Sequence, residues 1–285
     1  MRLICLFIDE IDLFVDLIDL VVDLIDLIDF FTNILLGYDA SDKDGGHYSG
    51  WKPNGKKLDN WTWIFTELHE KGYVSEWGED FVPSIFELNL VGFTKWPMTH
   101  TMKAFFNDLQ PPFDSGNHRT CLGNLQADQH HIEHVKSLLN TYDKVGSIGF
   151  HHFLVAHEPT LSQIEALDDG LTDFISYMNE HYSNNTVVII YGDHGPRYGA
   201  YRQTLAGKLE ERLPVLWMLI PTAISDPVVH KNLKINTKRL STVYDLHETL
   251  RHIAVYPYQP ESVPSKHNYS NSLFFPVIIK SNLQI

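Results

Sequence analysis

A run of β-branched residues, followed at once by an acid and a histidine between glycines, constrains this chain more than any other feature. Thr186–Tyr191 reads Thr-Val-Val-Ile-Ile-Tyr, which is typical of a strand buried on both faces of a parallel sheet. Gly192-Asp193-His194-Gly195 follows directly. Because ligands bind where parallel strands end, the sequence predicts a site at this turn.

The segments around this run predict an alternation of strands and helices. Val145–Ala156 is apolar and β-prone, Ser162–Tyr182 has helical periodicity, and Leu213–Ile220 reads as another strand. A strand, a helix and a strand in this order imply a right-handed crossover and a parallel sheet. The sequence therefore predicts an α/β domain, with further elements at Trp61–Lys71 (helix), Tyr73–Glu76 (strand), Gln126–Tyr142 (helix) and Ser241–Ile253 (helix).

Asp193 and His194 are the first candidates for metal ligands. A carboxylate oxygen and an imidazole nitrogen suit a divalent ion such as zinc or manganese. The flanking glycines permit a tight turn that would aim both side chains at one point. The alternative is an ordinary turn at a strand end, where Asp, His and Gly are all common.

Histidines elsewhere offer weaker candidates. His157 follows the predicted strand Val145–Ala156 and would lie beside Asp193 if that strand neighbours Thr186–Tyr191; otherwise it is a surface histidine. His130 and His134 are four residues apart on a predicted helix, a spacing that can chelate a metal. The glutamate that the zinc-protease pattern requires beside the first histidine is absent.

Basic residues follow the Asp193 turn and could hold an anion. Arginine is the bidentate partner of phosphate and sulfate, which makes Arg197 the leading candidate. Surface pairing with Glu210 and Glu211 is the alternative for Arg197 and for its basic neighbours, which are Arg202, Lys208 and Arg212.

Overall charge excludes some partners. The chain has 36 acidic and 22 basic residues among 285, giving a net charge of -14. This balance argues against a nucleic-acid binder and against an anionic membrane surface as partner, since both interactions need a basic face on the protein.

Two cysteines allow one disulfide at most. Three glycosylation triplets hint at the secretory pathway: Asn60-Trp61-Thr62, Asn184-Asn185-Thr186 and Asn268-Tyr269-Ser270.

The N-terminal segment is a low-complexity repeat of Asp with Leu, Ile and Val. Residues 1–42 hold ten acids and one base, and six aspartates between Asp9 and Asp26 recur every three or four residues. An aspartate in every turn is costly in hydrocarbon, and the apolar run at Leu3–Ile8 is short for a signal peptide or membrane anchor. We therefore predict that residues 1–32 lie outside the core and that the domain spans residues 33–285.

Several ordered motifs carry a family resemblance. Gly192–Gly199, which reads Gly-Asp-His-Gly-Pro-Arg-Tyr-Gly, resembles the signature of an uncharacterised eukaryotic domain family of the alkaline phosphatase/sulfatase superfamily. Gly207–Pro214, Asn232–Leu240 and Tyr244–Arg251 extend the resemblance, which covers roughly residues 33 to 255.

The resemblance implies a sulfatase-like, mostly parallel α/β fold and hydrolysis of phosphate or sulfate esters. It implies that Asp193 and His194 hold a divalent metal (zinc, manganese or calcium) and that His157 lies near the substrate. It also implies an extracellular or secretory location and an anionic ester or a glycan as partner.

The chain departs from this pattern at its N-terminus. The superfamily's first strand ends in a metal-binding Asp and is followed by the nucleophile, whereas residues 7–31 contain neither Ser nor Thr. We therefore expect the first strand and the nucleophile block to be missing, the metal to bind weakly, and the chain to be inactive or incomplete. The alternative is a non-catalytic secretory or cell-surface protein that keeps the fold to bind a glycan or a protein.

Overall fold

The computed structural model describes residues 2–8, 35, 58–80, 84–88, 92–108, 121–122, 124–154, 164–195, 199–224, 226–255 and 270–277. The strands are β1 (Arg2–Ile8), β2 (Val74–Glu79), β3 (His100–Thr101), β4 (Cys121–Leu122), β5 (Leu125–Gln126), β6 (Ser147–Phe153), β7 (Thr186–Gly192) and β8 (Leu216–Leu219). The α-helices are α1 (Ile64–His69), α2 (Ile85–Leu88), α3 (Lys103–Asp108), α4 (Ala127–Thr141), α5 (Ile164–Tyr182), α6 (Gly199–Arg202), α7 (Leu205–Arg212), α8 (Pro227–Asn236) and α9 (Val243–Ile253). Two 3-10 turns span Leu58–Asn60 and Thr222–Ile224.

Six strands form one sheet in the order β3-β2-β6-β1-β7-β8. All neighbouring pairs are parallel except β7 and β8, which are antiparallel. The prediction of a mostly parallel α/β sheet is therefore confirmed. The strand expected within Leu213–Ile220 is present as β8, but it forms an antiparallel edge.

The strand β1 occupies the centre of the sheet, between β6 and β7. Arg2 is in register with Ser147 and Thr186, and Ile8 is in register with Phe153 and Gly192. The expectation that the sheet lacks its first strand, and that the core begins after residue 32, is therefore wrong for Arg2–Ile8. The apolar run that is too short to cross a membrane has the length of a buried parallel strand. The remainder of the repeat lies outside the described residues.

The two faces of the sheet bury separate apolar clusters, as alternation along β7 requires. Val187, Ile189 and Tyr191 pack on the face covered by α1 and α9, whose core includes Trp63, Phe65, Trp77, Phe150 and Leu250. Val188 and Ile190 pack on the opposite face against α4 and α5. The result is a sheet between two helical layers, with the carboxyl ends of five parallel strands along one edge.

Local signals explain where the helices begin. Thr242 and Asp245 form a reciprocal capping box at the start of α9, and Asp226 accepts a hydrogen bond from the backbone of Val228 at the start of α8. Gly72 follows α1 with a φ of 83°, in the left-handed region that glycine tolerates best. The four helices predicted from the sequence are confirmed. α1 covers only Ile64–His69 of the expected Trp61–Lys71, and α4 and α9 are each two residues shorter than expected, whereas the expected start of α5 at Ser162 lies outside the described residues.

Candidate functional site

Asp193 and His194 lie at the carboxyl edge of the sheet, directly after β7. The first six residues of β7 are buried, so the turn follows directly on a strand that is packed into the core. The two side chains are themselves 3% and 8% exposed. The turn therefore has the place predicted for it, at the end of a buried parallel strand.

Hydrogen bonds fix the orientation of His194. Its Nδ1 lies 2.8 Å from the carbonyl oxygen of Gly195, which can only accept, so Nδ1 carries the proton. Its backbone N–H donates to Asp193 Oδ1 at 2.7 Å. Donation of one ring N–H to a backbone carbonyl is the arrangement that commonly orients a metal-binding imidazole.

The geometry of this pair suits a cation. His194 Nε2 lies 3.1 Å from Asp193 Oδ2. With the proton on Nδ1, a neutral ring presents the Nε2 lone pair to a carboxylate oxygen, and two such groups repel each other in a buried position. A proton on Nε2 or a divalent ion held by both atoms removes that repulsion. Asp193 and His194 are therefore chemically suited to hold such an ion.

Gly195 is required by packing more than by backbone conformation. Among the described glycines, those with positive φ are Gly72, Gly92 and Gly199, so the prediction that the flanking glycines are needed for an unusual turn is not supported at Gly195. A Cβ at Gly195 would lie 2.4 Å from the carbonyl oxygen of Glu210, and its N–H donates to the carbonyl of Glu211 at 3.2 Å. The end of α7 thus rests against the backbone of the turn.

The end of β1 lies beside the end of β7, because Ile8 and Gly192 are in register. The next residue of the sequence after Ile8 is Asp9, as the next after Gly192 is Asp193. Asp9 itself lies outside the described residues. Sequence reasoning missed this relationship because it assigned Leu3–Ile8 to the repeat, although an apolar run followed by an acid is the same signal that identified β7.

Two candidate substrate-binding residues, His157 and Arg197, lie outside the described residues. The condition under which His157 would lie beside Asp193 is not met, because β1 separates β6 from β7. Among the other basic residues, Arg202 donates two hydrogen bonds to the carboxylate of Glu211, at 3.1 and 2.9 Å. The surface pairing considered from the sequence is therefore correct for Arg202.

Comparison with known proteins decides the family. The sequence matches the family described as "Protein of unknown function (DUF229)" over residues 31–278, which is most of the chain. The chain belongs to the DUF229 family. A search of curated proteins finds no match.

Solved structures similar to this DUF229 chain share its fold at low identity. One is the C-terminal periplasmic domain of EptC from Escherichia coli, with a TM-score of 0.51, 12% identity, and coverage of 97% of this chain and 87% of that one. Another is a Bacteroides thetaiotaomicron protein described with the metabolism of multiple glycosaminoglycans, with a TM-score of 0.53, 12% identity, and coverage of 96% and 76%. These neighbours and the family match confirm the predicted alkaline phosphatase/sulfatase-like α/β fold.

A third similar structure is an alkaline phosphatase superfamily protein from Vibrio parahaemolyticus, with a TM-score of 0.48, 12% identity and coverage of 77% of this chain. The DUF229 chain spans 60% of that protein's length.

A second polar cluster lies away from the Asp193 turn, between β2, β6 and α4. His134 forms an ion pair with Glu76, whose carboxylate is fully buried, and Glu76 Oε2 lies 3.7 Å from His151 Nε2. His151 Nδ1 lies 3.1 Å from Nε2 of the buried His131. Chelation by His130 and His134 is therefore not supported, since His134 is paired with Glu76.

The environment of this cluster sets the charge of its members. Burial lowers the pKa of His131 well below its usual value and that of His151 to about 4, so both rings are neutral. Burial acts to raise the pKa of Glu76, but the hydrogen bond from His134 and the nearby histidines outweigh it and lower that pKa. The hydrogen bond to Glu76 raises the pKa of His134. The hydrogen bond between Glu76 and His134 thus favours the charged form of both side chains, whereas burial favours the neutral forms of His131 and His151.

Acidic residues also lie at the end of β2. Glu79 accepts hydrogen bonds from Trp77 Nε1 at 3.0 Å and Ser84 Oγ at 2.7 Å. Asp80 accepts from the backbone N–H of Leu154 at 3.0 Å, and burial raises the pKa of its carboxyl to about 7. The contact between Asp80 and Leu154 ties the end of β2 to the end of β6.

In the ranges that the structure describes, no three or more His, Cys, Asp or Glu side chains converge as metal ligands do. In the same ranges, no helix has the length and apolar character needed to cross a bilayer.

Proposed function

We propose that this chain binds a divalent cation and an anionic phosphate or sulfate ester at the carboxyl edge of β1 and β7, without hydrolysing the ester. The observation that carries the proposal is the geometry of Asp193 and His194, with Oδ2 and Nε2 3.1 Å apart at the end of a buried strand. The parallel register of Ile8 with Gly192 supports it, because the sequence supplies a carboxylate, Asp9, directly after Ile8. When bound, the cation would supply Lewis-acid polarisation of the ester oxygens.

The residues of this chain have separate roles in the proposal. Asp193 contributes the charged oxygen, and His194, oriented by its bond to Gly195, contributes Nε2. Asp9 is the proposed third ligand, which still leaves fewer than the roughly four ligands of a typical zinc site, so we expect weak binding. His157 is proposed to contact the anionic group, as the family resemblance implies. Arg197 is proposed to contact it because arginine is a bidentate partner of phosphate and sulfate.

Hydrolysis is not expected, because the step that forms a covalent intermediate has no nucleophile. Such a step needs a hydroxyl or thiol close to the phosphorus or sulfur and activated by the metal. Residues 7–31, where the superfamily carries it, contain no Ser, Thr or Cys. This gap also favours the second candidate function, a non-catalytic secretory or cell-surface protein that binds a glycan or another protein.

We further propose a location in the secretory pathway or outside the cell. Support comes from the three glycosylation triplets in the sequence. The EptC neighbour is described as a periplasmic domain, and the Bacteroides neighbour is described with glycosaminoglycan metabolism. A sulfated glycan therefore belongs among the esters to be tested.

The deciding experiment measures Mn²⁺ binding by electron paramagnetic resonance and turnover of chromogenic phosphate and sulfate esters. The full chain is compared with Asp193→Ala and with Asp168→Ala, an exposed aspartate on α5 that serves as the matched control. We expect Mn²⁺ binding that Asp193→Ala abolishes and Asp168→Ala preserves, with no turnover above buffer when zinc, manganese or calcium is added.

Two outcomes would contradict different parts of the proposal. Metal-dependent turnover lost in Asp193→Ala would make the chain an active hydrolase with a nucleophile elsewhere. Mn²⁺ binding that is absent, or equal in both variants, would remove the metal site and leave the non-catalytic binding protein as the better interpretation.

A further inference from the structure

One of the three glycosylation triplets lies on an exposed turn at the opposite edge of the sheet from Asp193. Asn184-Asn185-Thr186 joins the end of α5 at Tyr182 to the start of β7. Asn184 and Asn185 are exposed, whereas Thr186 is 1% exposed as the first residue of the strand. Exposed Asn-X-Ser/Thr turns are the usual attachment points for N-linked glycans.

Hydrogen bonds orient the amide group of Asn184. Its side-chain Oδ1 accepts from Thr222 Oγ1 at 2.9 Å, and its backbone carbonyl accepts from the N–H of Ala223 at 3.2 Å. Its Nδ2 donates no hydrogen bond within the described part of the chain. An N-linked glycan is attached to Nδ2 and leaves Oδ1 free to accept, so the contact with Thr222 is compatible with a glycan.

We propose that Asn184 is an N-glycosylation site of this protein. The co-reactant is an oligosaccharide linked to a lipid diphosphate. A bond forms between Asn184 Nδ2 and C1 of the first sugar, the bond from C1 to the diphosphate oxygen breaks, the lipid diphosphate leaves, and Nδ2 loses one proton. The proposal rests on the secretory location proposed above and is independent of hydrolytic activity.

The other two triplets lack comparable support. Asn60 is the last residue of a 3-10 turn, and the backbone N–H of the following Trp61 donates to the carbonyl of Leu58 at 3.2 Å. Asn268 lies outside the described residues. Asn184 is therefore the triplet asparagine for which the structure describes both an exposed side chain and an oriented amide.

The position of Asn184 determines what a glycan there would cover. Asn184 precedes β7 and Asp193 follows it, and the six residue steps of about 3.3 Å from Thr186 to Gly192 place the two ends of the strand roughly 20 Å apart. A glycan at Asn184 would shield the amino edge of the sheet and leave the edge with Asp193 open to a ligand. We therefore expect glycosylation to leave Mn²⁺ binding unchanged.

The test translates the full chain behind a cleavable secretion leader in the presence of microsomes. The protease-protected fraction is treated with peptide N-glycosidase, which converts a glycosylated asparagine to aspartate, and the peptides are identified by mass spectrometry. Asn184→Gln removes the acceptor. Asn185→Gln is the matched control, because it changes only the middle position of the triplet and leaves both Asn184 and Thr186 in place.

We expect aspartate at position 184 in the wild type and in Asn185→Gln, with one glycan fewer in Asn184→Gln. Because the leader supplies translocation, a failure of the proposed secretory location would not affect this result. An unmodified Asn184 in protease-protected chain would overturn the proposal, whether or not Asn60 or Asn268 carries a glycan.

Discussion

Ile8 and Gly192 are in register as the last residues of two adjacent parallel strands. This pairing brings the N-terminal strand of the chain next to the strand that precedes Asp193 and His194. The residues that follow both strands in the sequence are aspartates. In the proposed site, β1 therefore contributes a ligand beside those of the Gly192–Gly195 motif.

Breaking the backbone ladder of β1 should abolish folding. Ile4 is paired with Gly149 on one side and Val188 on the other. Ile4→Pro removes a backbone donor in a central strand, where proline is not tolerated. We expect loss of a cooperative thermal transition, measured by circular dichroism. Ile4→Val keeps the N–H and is the control; normal unfolding of Ile4→Pro would show that β1 is dispensable.

Gly195→Ala should destabilise the turn that carries the site. The new Cβ would lie 2.4 Å from the carbonyl oxygen of Glu210, and backbone atoms of α7 cannot move aside at low cost. Overpacking of this kind costs about 1–3 kcal/mol, so we expect a lower urea midpoint and weaker Mn²⁺ binding. Gly170→Ala within α5 is the control, since its Cβ would meet only the tip of Ile132 at 3.3 Å.

Glu76→Gln should reduce stability most near pH 6. The folded-state pKa of Glu76 is lowered and that of His134 is raised. The pair therefore stabilises the fold at pH values above the usual pKa of Glu and below the usual pKa of His. This stability is lost as pH falls through the folded-state pKa of Glu76 or rises through that of His134. His134 is 42% exposed, so solvent screens part of its attraction to Glu76. We therefore expect Glu76→Gln to lower the free energy of unfolding by only about 1–3 kcal/mol.

Urea unfolding at pH 6 and pH 9 measures the Glu76→Gln difference. Glu133→Gln, which removes an exposed partner of Lys136, is the control and should change stability by less than about 0.5 kcal/mol. A loss that is equal at both pH values would contradict the assignment of a charged pair.

Asp80→Asn should stabilise the protein above pH 7 and have little effect near pH 4. Burial, helped by the charges of Glu79 and Asp128, raises the folded-state pKa of Asp80 to about 7, against the opposing effects of His152 and the Leu154 N–H. The folded state then binds a proton that the unfolded state has released, so the carboxyl costs stability as pH rises from about 4 to 7. Asparagine keeps an acceptor for the N–H of Leu154 and carries no charge.

The Asp80→Asn prediction is checked by urea unfolding at pH 5 and pH 8. The gain at pH 8 should be a few kcal/mol at most, at about 1.4 kcal/mol per pH unit of difference between the folded and unfolded pKa values. A variant that is less stable than the wild type at pH 8 would show that Asp80 is ionised and paired in the folded state.

Residues with strong local signals were predictable from the sequence. The β-branched run of β7 and the helical patterns of α4, α5 and α9 each act within a few residues, and all four elements are present. The same local pattern existed at Leu3–Ile8, but the repeat that follows it led to the wrong assignment.

The cluster of Glu76, His131, His134 and His151 could not be predicted. Its members come from β2, α4 and β6, and the carboxylate and the imidazoles meet only when those elements pack together. A Cβ at Gly78 would lie 2.4 Å from His131 Nε2 and 2.5 Å from His151 Nδ1, so a glycine far away in the sequence makes room for the histidine pair.

By itself, the sequence determined the α/β alternation, the strand before Asp193 and the turn after it, because hydrophobic periodicity and turn chemistry act over short distances. Only the tertiary structure decided that Arg2–Ile8 lies between β6 and β7 and that His134 is paired with Glu76. Strand order and side-chain pairing depend on which surfaces exclude water together, and that is a property of the packed chain rather than of any one segment.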